Sequence, residues 1–191
     1  MSRISRDALA RAMRKVQVMN LAQKERLADG LFVAQPHLFS SFLVQHKLGV
    51  SLEKMEFLLE ILLVCFQAMK ESALNWPLIT EDEKERQMER LVGTVKFGED
   101  LPAYLSDLAV QQYLENYPEK DLLAFVHDEA GRWLSRVEPE ESDKFVIVAA
   151  LNVVDCIAFV PLRDEMSANG GNAIPSPRGR LAKAGTSVGR T

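Results

Sequence analysis

The sequence predicts an all-α fold, a compact multi-helix bundle or orthogonal array of about seven or eight helices. Apolar residues recur at three-to-four-residue spacing along most of the chain, and prolines and capping residues separate the runs. No two valine-rich runs are joined by an Asn-Gly or Asp-Gly turn, so no β-hairpin is expected. With 191 residues, 47% of them hydrophobic and 26% charged, we expect one helical domain over residues 1–165.

The predicted helices, in chain order, span residues 4–18, 20–34, 36–47, 51–74, 80–97, 102–116, 118–136 and 139–160. Thr80 and Glu83 form a predicted capping box for the fifth helix, and Gly98 is a candidate for its C-terminal cap. Proline fits at the first position of a helix, and four predicted helices begin at a proline: Pro36, Pro102, Pro118 and Pro139. The short connections favour antiparallel neighbours.

The fourth and eighth predicted helices are apolar over most of their circumference, which indicates central positions. We expect a central antiparallel pair with Cys65 and Cys156 in or near its seam, or one central helix completed by a dimer interface. At 100° per residue, one narrow polar band follows the fourth helix and is expected to form an exposed acidic edge. Its members are Glu53, Glu56, Glu60, Gln67 and Glu71.

Neither apolar run is a good membrane helix, because Glu60 interrupts the first and Asn152 and Asp155 interrupt the second. Residues 1–19 lack the apolar core of a secretory signal. Both cysteines lie in apolar runs, as buried reduced thiols do. The sequence therefore predicts a cytoplasmic protein without membrane association.

Charge is distributed unevenly along the chain, whose net charge is −4. Residues 31–165 are strongly acidic, whereas the two ends are basic. Residues 166–191 contain no acid and no aromatic residue, so we expect a disordered basic tail rich in Gly, Ser and Pro. The basic ends are candidates for binding nucleic acid or an acidic partner, through Arg11, Arg14, Lys15, Arg178, Arg180 and Lys183. Alternatively, the first helix folds against the acidic body and the tail only aids solubility.

The stretch VQHKLGVSLEKM places Gly49 in a turn between two helices and Ser51 at the N-cap of the second. Its LGVS tetrapeptide resembles the turn of helix-turn-helix repressors, over residues 42–62. The resemblance implies a DNA-binding regulator that uses the 36–60 helix pair. The candidate reading face, however, carries Glu53, Glu56 and Glu60, whose charge has the wrong sign for phosphates.

The stretch LLAFVHDEAGRWL contains adjacent His127 and Asp128. The pair resembles the metal-binding doublet of HD-domain phosphohydrolases, which are all-helical. The resemblance implies metal-dependent phosphohydrolysis with an upstream His and a downstream Asp as further ligands. Candidates for those positions are His37 or His46, and Asp155 or Asp143. Alternatively, Asp128 and Glu129 pair with Arg132 or Arg136 at helical spacing.

No nucleophile elbow or phosphate-binding glycine loop is present in the sequence. We therefore expect a non-enzymatic α-helical interaction or regulatory protein that needs no cofactor. Its expected partner is a macromolecule, most simply another protein, and homodimerisation is expected because small helical proteins often complete their cores that way. DNA regulation ranks second and metal-dependent phosphohydrolysis third.

Overall fold

In the computed structural model, residues 2–99 and 102–162 are described, and within them the chain forms eight α-helices and no strand. The all-helical prediction is thus confirmed. The tail predicted over residues 166–191 lies outside the described residues. The helices are α1 (Arg6–Gln17), α2 (Leu21–Ala34), α3 (Pro36–Lys47), α4 (Leu52–Glu71), α5 (Glu81–Glu99), α6 (Ala103–Asn116), α7 (Lys120–Leu134) and α8 (Asp143–Phe159).

Side-chain caps begin most of the early helices. The Ser5 hydroxyl accepts a hydrogen bond from the backbone N–H of Ala8 at 3.2 Å. At α2, Asn20 and Gln23 complete a reciprocal capping box, with distances of 3.0 and 2.9 Å. Each cap satisfies N–H groups that the first helical turn leaves without a partner, which explains why the helices begin where they do.

The prediction of proline at the first helical position is confirmed for Pro36 alone. Pro102 is instead the extended N-cap of α6, with ψ of 144°, and α7 and α8 begin two and four residues after their prolines. Proline disfavours helical backbone angles in the residue before it and has no N–H group to donate. It therefore occurs just before a helix as readily as in the first turn of one.

The predicted capping box of α5 forms on one side only. The Thr80 hydroxyl accepts from the Glu83 N–H at 3.2 Å, but the Glu83 carboxylate bonds forward to Gln87 at 2.7 Å. The prediction that Gly98 caps the end of this helix is wrong, because α5 continues to Glu99. A glycine inside a helix costs only about 1 kcal/mol, which a helix of 19 residues tolerates.

Helices α4 and α8 contact each other and also the helices around them, as their apolar circumference predicts. The predicted antiparallel arrangement is wrong. Lys54, in the first turn of α4, places its ammonium 2.6 Å from Oδ1 of Asp143, the first residue of α8, so the amino-terminal ends meet. Three helices separate α4 from α8 in sequence. A short connection favours an antiparallel arrangement only for the two helices that it joins directly, so it does not apply to this pair.

The Lys54–Asp143 pair is buried, and each side chain is about 8% exposed. Burial opposes the charged forms. The hydrogen bond between the two groups nevertheless raises the pKa of Lys54 and lowers that of Asp143. The backbone carbonyl of Glu138 accepts a further bond from Lys54 at 3.1 Å. A buried charge pair with additional bonds of this kind fixes how the two central helices meet.

Both cysteines are free and buried, as predicted, and burial raises the pKa of each thiol to about 12. Among the residues that the structure describes, no single helix is long and apolar enough to cross a membrane. Helices α2 and α3 meet that criterion only as a pair bent by 114°.

The buried carboxylate of Glu119 anchors the amino-terminal segment at the start of α7. It accepts hydrogen bonds from the Ser2 hydroxyl at 2.5 Å, from the Arg3 N–H at 2.8 Å and from the Ile4 N–H at 3.1 Å. The Arg3 guanidinium donates to the Val160 carbonyl at 2.5 Å. Residues 2–4 are therefore anchored where α7 begins and α8 ends.

Candidate functional site

A groove runs across the outer face of α4, between α1 and α2 on one side and α7 on the other. It consists of two adjoining pockets of about 460 and 680 Å³, and Lys24, Phe57, Glu60 and Glu129 line both. Lys24 and Glu60 form an ion pair between α2 and α4 where the pockets adjoin. The groove (the α4 groove below) thus follows the amino-terminal half of α4.

Aromatic and aliphatic side chains form the floor of the α4 groove. The rings of Phe57 and Trp133 are stacked with centroids 4.7 Å apart and planes inclined by 10°. Ile61 and Val64 continue the floor along α4. Leu21, in the α2 wall, is 74% exposed. An apolar floor next to an exposed leucine is surface that a partner could cover favourably.

Acidic side chains outnumber basic ones along the α4 groove. Glu60 pairs with Lys24, and Glu129 pairs with Arg132 at 2.5 Å. The remaining charged side chains of the lining make no ion pair with the described residues; they are Glu25, Glu53, Glu56 and Arg136. Three of these four side chains without an ion pair are therefore acidic, and one is basic.

The predicted acidic edge of α4 is confirmed only in its amino-terminal half, where Glu53 and Glu56 are exposed. In the other half the prediction is wrong. Gln67 is buried, and Glu71 accepts from Arg11 at 3.1 Å and from Lys15 at 2.5 Å. These bonds lower the pKa of Glu71 to about 2. Helix α1 covers this part of α4, which a single-helix projection could not show.

The basic candidates of α1 are therefore divided. Arg11 and Lys15 serve the ion pair with Glu71, whereas Arg14 is exposed and makes no ion pair with the residues described. This arrangement matches the alternative in which α1 folds against the acidic body. The other three candidates, Arg178, Arg180 and Lys183, lie outside the described residues.

The turn of the helix-turn-helix resemblance is present. Gly49 has φ of +82°, and Ser51 caps α4 by accepting from the Lys54 N–H at 3.4 Å. The first turns of α4 expose Leu52, Glu53 and Glu56, whereas Lys54 is buried. A recognition helix needs donors and positive charge at this position. The geometry thus provides the turn without the surface that would read DNA.

The residues of the HD-domain resemblance are brought together only in part. His127, Asp128 and Asp155 line one pocket between α5, α6, α7 and α8. His37 instead contacts Glu81 at 3.1 Å, and His46 is exposed at the end of α3. Among the described residues, no three His, Cys, Asp or Glu side chains are placed to hold a metal ion together. The converging ligand set that this alternative requires is not assembled there.

The buried pair in that pocket is Asp155 with Tyr117, whose hydroxyl donates to Asp155 Oδ1. Burial raises the pKa of Asp155 and that of Tyr117, and it raises the pKa of Tyr113 to about 12. From the sequence, Asp155 was predicted as a candidate metal ligand and as an interruption of an apolar run, whereas its pairing with Tyr117 was missed. A tyrosine one residue before Pro118, between two helices, gives no sequence signal that it points into the core.

Comparison of the chain with protein-family models, with curated proteins and with solved structures gave no significant match. A functional assignment therefore has to rest on the geometry of the chain itself.

Proposed function

We propose that this chain is a non-enzymatic interaction protein whose α4 groove binds a basic amphipathic helix of a partner protein. The observation that carries the proposal is the combination of an apolar floor, containing Phe57 and Trp133, with the unpaired acids Glu25, Glu53 and Glu56. Amphipathic helices bind in grooves of this type by placing apolar residues on the floor and charges at the rim.

The dimensions of the α4 groove suit a helix of modest length. Its lining along α4 extends from Glu53 to Val64, which at 1.5 Å per residue is about 17 Å, or three helical turns. Leucine-type side chains at three-to-four-residue spacing would cover Leu21 and Phe57. Lysine or arginine at the edges would meet the unpaired glutamates, which increases the association rate and sets orientation.

A synthetic helical peptide tests the proposal. The probe is an amphipathic leucine-lysine peptide of about 15 residues, and the matched control replaces every lysine with glutamate. Isothermal titration calorimetry should show binding of the first peptide, weaker at high salt, and none of the second. Equal binding of both peptides would remove the electrostatic part of the proposal.

Charge reversal locates the binding surface. The double variant Glu53→Lys with Glu56→Lys should weaken binding of the lysine peptide by about tenfold or more, because it reverses the charge of two of the three unpaired acids. The control is Glu85→Lys with Glu89→Lys, which makes the same double change at exposed positions of α5 outside the groove. A control that loses as much affinity as the double variant would show that net charge, not the groove, governs binding.

We also propose a homodimer formed through α2 and α3. Residues 30–51 contain a single charged residue, Lys47, and five of their apolar side chains are more than 40% exposed. A surface almost without charge can face its own copy without repulsion and resembles the core of an interface. These exposed apolar side chains are Phe32, Val33, Leu43, Val44 and Leu48.

Sedimentation velocity tests the dimer. The wild type should sediment as a dimer and Leu43→Glu as a monomer, whereas Val92→Glu, the same type of change at an exposed position on α5, should remain dimeric. A monomeric wild type at high micromolar concentration would overturn the proposal. So would co-sedimentation of the wild type, but not of Leu43→Glu, with phosphatidylcholine vesicles, because the bent α2–α3 pair would then bind lipid.

We further propose a cytoplasmic location, supported by the two free, buried thiols, since reduced cysteines are typical of reducing compartments. Cell fractionation with a tagged full-length chain tests it, and recovery in the membrane or secreted fraction would contradict it.

A further inference from the structure

The pocket between α5 and α8 (the Asp155 pocket below) is separate from the α4 groove and has a different character. Its volume is about 460 Å³, within the range of small-molecule sites. Val110 and Leu114 of α6 are about half exposed and lie at its entrance, whereas Leu91 of α5 is buried. Its apolar lining comes from all four helices: Leu91, Val95, Val110, Leu114, Leu123, Ala124 and Leu151.

The polar centre of this pocket is Asp155, which is only 2% exposed. Tyr117 satisfies Oδ1, but Oδ2 is buried and has no hydrogen-bond partner in the part of the chain that the structure describes. A buried oxygen without a hydrogen-bond partner raises the free energy of the folded chain. A ligand that donates a hydrogen bond to this oxygen recovers that free energy on binding. Packing within α8 does not require an aspartate at this position, because its neighbours Val154 and Cys156 are apolar and equally buried.

The charges around the Asp155 pocket are balanced. Arg90 lies over the Phe159 ring at 3.4 Å from its centroid, close enough to Asp155 to act against the rise in its pKa. Lys120 and Asp128 lie in the lining of the pocket, with His127 beside them. Two cationic groups therefore face two acidic ones, so neither a cation nor an anion is favoured as a ligand.

We propose that the Asp155 pocket binds a small, uncharged, mainly apolar molecule with one hydroxyl or N–H group that donates a hydrogen bond to Asp155 Oδ2. The apolar walls bury the body of the molecule, and the single donor fixes its orientation. This is the usual division of roles in small-molecule sites. The inference is independent of peptide binding at the α4 groove.

Two probes of almost equal shape test the role of the donor. 2-Naphthol carries a hydroxyl group, and 2-methoxynaphthalene replaces it with an ether that cannot donate. In equilibrium dialysis, the full chain should bind 2-naphthol about tenfold or more tightly than the ether, because the ether leaves the buried Oδ2 without a hydrogen-bond donor. Equal affinity for the two probes would overturn the proposal.

Two variants separate the pocket from nonspecific binding. Val110→Trp fills the entrance and should abolish binding of 2-naphthol, whereas Val92→Trp, at another exposed valine, should leave it unchanged. Asp155→Asn should retain binding of the ether but remove the preference for 2-naphthol, because an amide N–H now replaces the accepting oxygen. A preference that survives in Asp155→Asn, or binding that survives in Val110→Trp, would place the ligand elsewhere. If Asp155→Asn does not fold, the probe pair and the two valine variants still decide the matter.

Discussion

Removing the Glu119 carboxylate should detach the amino-terminal segment and destabilise the fold. Glu119 accepts from Ser2, Arg3 and Ile4, and its side chain is fully buried at the start of α7. Glu119→Ala removes every acceptor at once. The segment cannot stay in place with two backbone N–H groups buried and unbonded, so residues 2–4 should return to solvent.

The magnitude follows from what that detachment loses. Hydrogen bonds to a charged group contribute about 1.5–3 kcal/mol each. The three contributions do not simply add, because the freed N–H groups form hydrogen bonds to water after detachment. Ile4 is 1% exposed, and its burial contributes about 1.5–3 kcal/mol. We expect Glu119→Ala to lower the free energy of unfolding by about 2–4 kcal/mol, and Glu119→Gln, which keeps one acceptor, by about half as much.

Urea denaturation followed by circular dichroism measures the effect. The matched control is Glu115→Ala, four residues earlier on the exposed side of α6, which should change stability by less than about 0.5 kcal/mol. Ser2→Ala removes one donor only and should fall between the control and Glu119→Ala. A Glu119→Ala variant as stable as the control would refute the reasoning, because it would show that the buried carboxylate does not hold the segment.

Three further predictions concern single positions. The bonds from Lys15 and Arg11 lower the pKa of Glu71 to about 2 from an ordinary 4.5. They stabilise the fold fully above pH 4.5, and this stabilisation is lost as pH falls towards 2. Glu71→Gln should therefore flatten the acid limb of a curve of stability against pH. Gly49→Ala should cost about 1–2 kcal/mol because φ is +82°, whereas Gly93→Ala, at an open position inside α5, should stabilise by about 0.5–1 kcal/mol; equal effects in thermal melts would contradict the turn geometry. Cys65 and Cys156, with thiol pKa values of about 12, should resist iodoacetamide at pH 8 in the folded protein and react in urea, and rapid labelling of the native chain would disprove their burial.

Helix positions were largely predictable because they depend on local chemistry. Ser51, Thr80 and Gly49 act through bonds and dihedral angles within a few residues, so the sequence places them correctly. The meeting of α4 with α8 was not predictable in this way. Periodicity identifies which face of a helix is apolar, but the direction of the partner helix depends on contacts such as Lys54 with Asp143, 89 residues apart.

The candidate sites show the same division. The sequence predicts the exposed acids Glu53 and Glu56 of α4 correctly, but only the fold determines that α1 covers Glu71. Asp155 was singled out as a candidate for the downstream ligand that the HD-domain resemblance implies. Its partner Tyr117 comes from outside any regular motif, and the resemblance to HD-domain enzymes directed attention to histidines that lie elsewhere.

The charge of a sequence segment is not the charge that a partner meets, and the amino-terminal segment of this chain illustrates why. Residues 1–30 carry seven basic residues against three acids. Four of those basic residues, however, pair with acids of the body: Arg6 with Asp121, Arg11 and Lys15 with Glu71, and Lys24 with Glu60. This pairing removes most of the basic surface that would attract a polyanion. Glu53 and Glu56 have no such partner, so α1 and α2 neutralise part of the acidic body and leave the α4 groove acidic, which is why a basic helix, and not a nucleic acid, is the partner we propose.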